Sequence, residues 1–156
     1  NATWDSHWGN STDSVWTAAQ SQLDFVGERS AAYLQWRFGS ESGRAHELFV
    51  VRTRDAHPVA YFICAHDGGT LQVQDFLTAG TPSQQRDAVL HLVEAARHQG
   101  CGAVEMDLAG HHAPHRAIRA AQFIDRNSRP LFVMAGENPP ALKAGSMLFT
   151  RADEDV

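Results

Sequence analysis

Residues 70–108 read TLQVQDFLTAGTPSQQRDAVLHLVEAARHQGCGAVEMDL, and the punctuation of this stretch decides the fold. Leu, Val and Phe crowd Thr70–Leu77, which predicts a strand. Thr81 is placed to cap a helix, Pro82 suits its first position, and Gln84 completes a T-x-x-Q capping box. Val89, Leu92, Val93 and Ala96 then recur at i, i+3, i+4 and i+7, an apolar stripe on one helical face. Arg97 and His98 fall in the last turn and Gly100 stops it. Gly102–Leu108 resumes as a strand. A strand–helix–strand unit crosses over right-handed, so the two strands are expected to be parallel neighbours or near neighbours.

Working outward, Glu47–Arg54 and Pro58–His66 are also strand-like, separated by the turn residues Asp55-Ala56-His57 and followed by Asp67-Gly68-Gly69. Together with Thr70–Leu77 they predict an antiparallel meander. Before it, apolar spacing predicts one helix over Asp13–Phe25 and a short second over Ser30–Phe38, with residues 3–12 an irregular lead-in. After the crossover unit, a helix is expected from Pro114 to Phe123, burying Ala117, Ile118 and Ala121. Leu131–Ala135 and Ser146–Thr150 read as two further strands joined through Asn138-Pro139-Pro140.

The 156 residues suit one domain with its own core, and 43% hydrophobic against 20% charged argues against general disorder. Net charge is −5, and Asp153, Glu154 and Asp155 supply three of those charges, which reads as a solvated tail on the last strand. No basic face is evident, so nucleic acid is not the expected partner. Twelve of the 13 basic residues are Arg. No apolar run approaches a membrane span, and no signal peptide is visible. Two thiols, Cys64 and Cys101, in apolar segments make no disulfide framework and suit a reducing cytoplasm. Asn1-Ala2 reads as the remnant of a cleaved tag. Residues 3–156 read as a single domain, one that fits excision from a longer protein.

Helix, helix, three-strand meander, helix, strand, helix, two strands: this order resembles the GNAT (Gcn5-related N-acetyltransferase) fold, with its usual first strand missing or unrecognised. Residues 29–38, RSAAYLQWRF, resemble the R-s-x-x-Y-L-x-W-R-[YF] segment of a bacterial GNAT-like group, and 149–155, FTRADED, resemble that group's acidic strand end. The resemblance implies a mixed, mostly antiparallel sheet flanked by helices. It also implies that acetyl-CoA or another acyl-CoA is held where the fourth and fifth strands splay, with a small-molecule amine as acceptor. Phe76, Leu77 and Thr78 take the pantetheine positions, and the diphosphate falls on the start of the following helix, at Gln84, Gln85 and Arg86. Pro82, Gln84 and Arg86 stand where the family carries small residues. Ile118 stands where many members carry a proton-donating Tyr, leaving His111, His112 or solvent for that role.

Three groups of residues are candidates for the remaining chemistry. Asp75 and Glu105 lie on central strands, where a carboxylate can accept a proton from an amine or simply pair with Arg. Trp36 and Arg37 line the acceptor wall in the resemblance, although an aromatic in a helix more often packs in the core, which would leave Arg37 to pair with a carboxylate such as Glu47. His111 and His115 are four apart, but Pro114 intervenes and no Cys or acidic ligand stands at zinc spacing, so no metal is expected. Three functions remain open: an acyl-CoA-dependent N-acyltransferase, a non-catalytic ligand- or partner-binding module working with other domains of a longer chain, and half of an aminoacyl-tRNA-dependent transferase, which the lack of a basic surface disfavours.

Overall fold

The computed structural model describes residues 1–23, 25–39, 43, 45–110, 112–128 and 147–153, with Phe25 and His112 described by their backbone alone. The meander forms as the alternation predicts: β3 (Glu47–Arg52), β4 (Pro58–Asp67) and β5 (Thr70–Thr78) pair antiparallel. The crossover helix is α3 (Pro82–His98), and both halves of its capping box are made: Thr81 Oγ1 accepts from the Gln84 N–H, and Gln84 Oε1 accepts from the Thr81 N–H. It delivers β6 (Ala103–Met106) parallel to β5.

The lead-in is ordered differently from the expectation. Ala2–Asp5 is a strand, β1, antiparallel to β3, and it supplies the first strand that its polar sequence conceals. Trp4 seats it against Phe49, with ring centroids 4.8 Å apart. Helix α1 spans Asn10–Gln20, three residues earlier at its start than the periodicity implies, and α2 spans Ala31–Phe38 with Ser30 as its N-cap. Helix α4 runs from His112 to Ala120. Two-residue strands β2 (Phe25–Val26) and β7 (Ala109–Gly110) flank β8 (Met147–Phe149) in a second small sheet. The expected strand at 131–135 and the Asn138-Pro139-Pro140 connection lie outside the described residues.

The result is a mixed α/β fold. A five-stranded, mostly antiparallel sheet, ordered β1-β3-β4-β5-β6, is flanked by four helices among the described residues. Each face of the sheet buries its own core. Phe49, Phe62 and Phe76 pack under α3 and α4, with Phe62 and Phe76 stacked at 5.8 Å. Val15, Leu34, Phe38, Ile63, Leu77 and Leu148 pack on the α1–α2 side. A bulge decides which residues of β5 go where. Ile63 pairs with Asp75 but Cys64 with Val73, so Gln74 is the extra residue. Side chains alternate with period two, so one extra residue reverses the faces. Val73 and Phe76 thus share one face, while Asp75 is turned to the other with Leu77. No described helix is long and apolar enough to cross a membrane.

β1 is fastened by charge as well as by its ladder. Arg52 on β3 meets Asp5 at 2.5 Å and donates also to Thr3 and Ser11. Partial burial alone would raise the Asp5 carboxyl; the Arg52 and Thr3 hydrogen bonds outweigh it and hold Asp5 below its usual value. The pair's contribution, about 1 kcal/mol, is therefore complete above the ordinary carboxylate pKa of about 3.9 and lost as pH falls through the lower folded value. Urea melts of wild type and Asp5→Asn should differ by this amount at neutral pH and converge in acid.

Candidate functional site

β5 and β6 stay paired for four residues, from Thr70–Ala103 to Val73–Met106, and then part. The rest of β5, Gln74–Thr78, runs on without β6 beside it, and the chain after β6 turns into β7, which pairs with β8 instead. A cavity of about 10 Å³, lined by Ala19, Leu23, Leu77, Thr78, Pro114 and Leu148, lies beyond the point of parting. Among the described residues, two buried side-chain oxygens have no hydrogen-bond partner, Thr78 Oγ1 and Gln85 Oε1. Both belong to the segment that joins the end of β5 to the first turn of α3.

That first turn is closed on itself. Pro82 has no N–H, and Gln84 and Gln85 direct theirs to Thr81. Only Ser83 retains an unpartnered backbone N–H there among the described residues. Gly80 has φ of 93°, and a Cβ on it would come within 2.5 Å of Gln84 Oε1, so the glycine serves the capping box rather than an open cradle. Arg86 projects outward, exposed, from the same turn.

On the α1–α2 side, Asp75 is wholly buried at the centre of a polar cluster. Arg29 Nε donates to it from 2.9–3.0 Å, the Tyr61 hydroxyl donates at 3.0 Å, and the Thr150 hydroxyl donates at 2.6 Å. Arg29, also wholly buried, reaches on to Asp153 at 2.6 Å, and Asp153 accepts the Thr150 N–H at 2.9 Å. Gly27 lets this pair pass, because a Cβ there would come within 2.6 Å of both Arg29 and Asp153. Burial pushes the Asp75 carboxyl up, against the opposing pull of Arg29 and the Thr150 hydroxyl. Burial alone would lower Arg29, but Asp75 and Asp153 outweigh it and raise it, so the guanidinium stays charged. Burial, then Asp75, raises the Tyr61 phenol, which stays protonated as a donor.

The sequence-derived candidates therefore scatter. Asp75 sits inside the cluster with both oxygens engaged. Glu105 is exposed on β6, paired in register with Gln72 and three positions short of Asp75, with no ion pair among the described residues. Phe76 and Leu77 are core residues on opposite faces, and Thr78 and Gln85 are buried. Trp36 is not in the core: it is 71% exposed on α2, tilted against Tyr33 at 5.7 Å. Arg37 is half-buried beside it, while Glu47 accepts from Gln99 and faces His66. His111 lies outside the described residues. Among those described, no three His, Cys, Asp or Glu side chains could hold a metal ion. What the sequence reading missed is the inward turn of Asp153, read as part of a solvated tail, and the partnership of Arg29 with Asp75. Half of the signal was present, since an Asp within a strand that buries its neighbours requires a partner, whereas Arg29 stands between Glu28 and Ser30 and does not announce its burial.

No protein-family model matches this sequence, and no curated protein matches it either. The likeness is three-dimensional. The aminoglycoside antibiotic 6'-N-acetyltransferase AAC(6')-Ih from Acinetobacter baumannii is 14% identical, over 86% of this chain and 97% of that one, with a TM-score of 0.51. The aminoglycoside antibiotic 6'-N-acetyltransferase AAC(6')-IG from Acinetobacter haemolyticus is 14% identical over 86% and 98%, also at 0.51. At that identity the likeness is one of fold: the chain takes a GNAT-like fold.

Removing one member of a buried ion pair strands the other, at about 3–5 kcal/mol. Arg29→Met and Asp75→Asn should each lower the urea-unfolding free energy by that order, and Asp153→Asn, whose side chain keeps some solvent, by less. Equal losses for all three would show that the cluster is not centred on Asp75.

Proposed function

We propose that this domain binds an acyl-CoA and passes the acyl group to the amine of a small molecule. The observation that carries the reading is the parting of β5 from β6, with buried and unpartnered Thr78 Oγ1 and Gln85 Oε1 beyond it. A buried polar atom without a partner costs about 1–3 kcal/mol, so these two atoms are poised for an amide-bearing arm laid along Phe76, Leu77 and Thr78. The diphosphate is served differently from an open glycine loop. Gln84 is engaged in the capping box, leaving the Ser83 N–H, the positive end of the helix dipole and the Arg86 side chain.

Bound acyl-CoA supplies an activated thioester carbonyl. Glu105, exposed one residue before the strands part, takes the proton from the acceptor amine. Asp75 is held by Arg29 and two hydroxyls, so its part is to position the bulged strand. Ile118 is buried in the core and has no proton to give, so proton return is left to His111, His112 or solvent. Trp36 and Arg37 on α2 offer an aromatic face and a cation to the acceptor. The two free thiols suit a cytoplasmic setting.

A second reading, a non-catalytic ligand- or partner-binding module of a larger protein, is favoured by the self-satisfied first turn of α3. Calorimetry with acetyl-CoA separates the two. The enzyme reading expects micromolar binding, and Glu105→Gln should keep that binding while lowering product formation, followed by chromatography, by about 100-fold or more. No binding at millimolar acetyl-CoA would leave the module reading. Thr78→Val makes a further distinction, since it replaces an unpartnered buried hydroxyl by a methyl of the same shape. Its melting temperature should hold or rise while acyl-CoA affinity falls severalfold.

A further inference from the structure

Cys101, His66 and Glu47 meet at the end of the sheet away from the parted strands, and they arrive from three separate elements. Glu47 opens β3, His66 is the penultimate residue of β4, and Cys101 follows the C-terminal turn of α3. Cys101 is fixed on both sides. Gly100, at φ of 81°, reverses the chain so that the Gly100 N–H bonds to Arg97 and the Cys101 N–H to Ala96, and the Gly102 N–H then bonds to Gly69. The Cys101 Sγ lies 3.6 Å from His66 Nδ1. His66 Nε2 lies 3.6 Å from Glu47 Oε2, and Gln99 holds that carboxylate with a 3.0 Å hydrogen bond. A nucleophile within reach of a base, with the base oriented by a third group, is the arrangement that activates a thiol. The site is open to solvent: His66 and Glu47 side chains are each 43% exposed, and Cys101 is half-buried.

We propose that Cys101 is a nucleophilic thiol, with His66 as its base and Glu47 orienting the imidazole, that exchanges with low-molecular-weight disulfides. The thiol proton passes to His66 Nδ1, and the thiolate attacks one sulfur of the disulfide. A new S–S bond forms to Cys101 as the old one breaks, and the departing thiolate takes the proton from His66. The negative end of the α3 dipole opposes a thiolate at this position, so the base is required. Cys64, two residues before His66 on β4, is an internal control. It is wholly buried, and burial pushes its thiol up.

The probe is oxidised glutathione on the folded protein, followed by mass spectrometry. One glutathione should be added, on Cys101, with Cys64 unmodified; Cys101→Ser should abolish the addition and Cys64→Ser preserve it. His66→Asn should slow the reaction by about tenfold or more, and Glu47→Gln by less. If His66→Asn does not fold, His66→Gln serves in its place. Addition at Cys64 instead, or a folded His66 variant that reacts at the wild-type rate, would overturn the proposal.

Discussion

Arg29 and Asp75 share one hydrogen-bonded ion pair with no access to water, and neither charge is tolerable without the other. Each buried ion costs several kcal/mol of lost hydration, recovered here by close approach and by Tyr61, Thr150 and Asp153 filling the remaining bonding directions. The pair therefore dictates where other parts of the chain lie. The segment between β2 and α2 must pass over β5, β4 must present a tyrosine, and the turn after β8 must fold inward. Tyr33 of α2 reaches the same turn, where its hydroxyl meets the Ala152 carbonyl at 3.5 Å.

Asp75 reaches that cluster only because β5 carries one residue more than its partner. Without the bulge at Gln74 the carboxylate would point into the phenylalanine core beneath α3, with no cation near it. The same local twist accompanies the end of β5–β6 pairing after Val73, so one irregularity both aims the charge and lets the strands diverge. Stability and the opening proposed for ligand thus share a cause.

The meander, α3 and the parallel return of β6 were legible because each is announced by local chemistry: turn residues, a capping box, an apolar stripe at helical spacing. β1 was not, since Ala2–Asp5 is short and polar and earns its place through Trp4 and Arg52, contacts made at long range. β2 and β7 are two residues each, below what any periodicity can register. The bulge did leave a trace, in the step of three between Val73 and Phe76 where alternation asks for two. Trp36 misled in the other direction: helical periodicity puts Leu34 and Phe38 inward, and Trp36, between them, faces outward beside Tyr33. The candidate site was legible as a list of residues but not as an arrangement. Separating Glu105 in the open from Asp75 in the core required knowing who their partners are.

The buried cluster also bears on how the chain acquires its shape during synthesis. Arg29 and Asp153 are 124 residues apart, and Asp75 must wait for Thr150 across 75. While residues 150–153 are still inside the ribosome, the emerged meander and helices hold a cation and a carboxylate whose bonding is incomplete. Closing the α1–α2 face over them at that stage would trap unsatisfied charge. The cluster can therefore be completed only once residues 150–153 have emerged, so its contribution to stability enters late in synthesis.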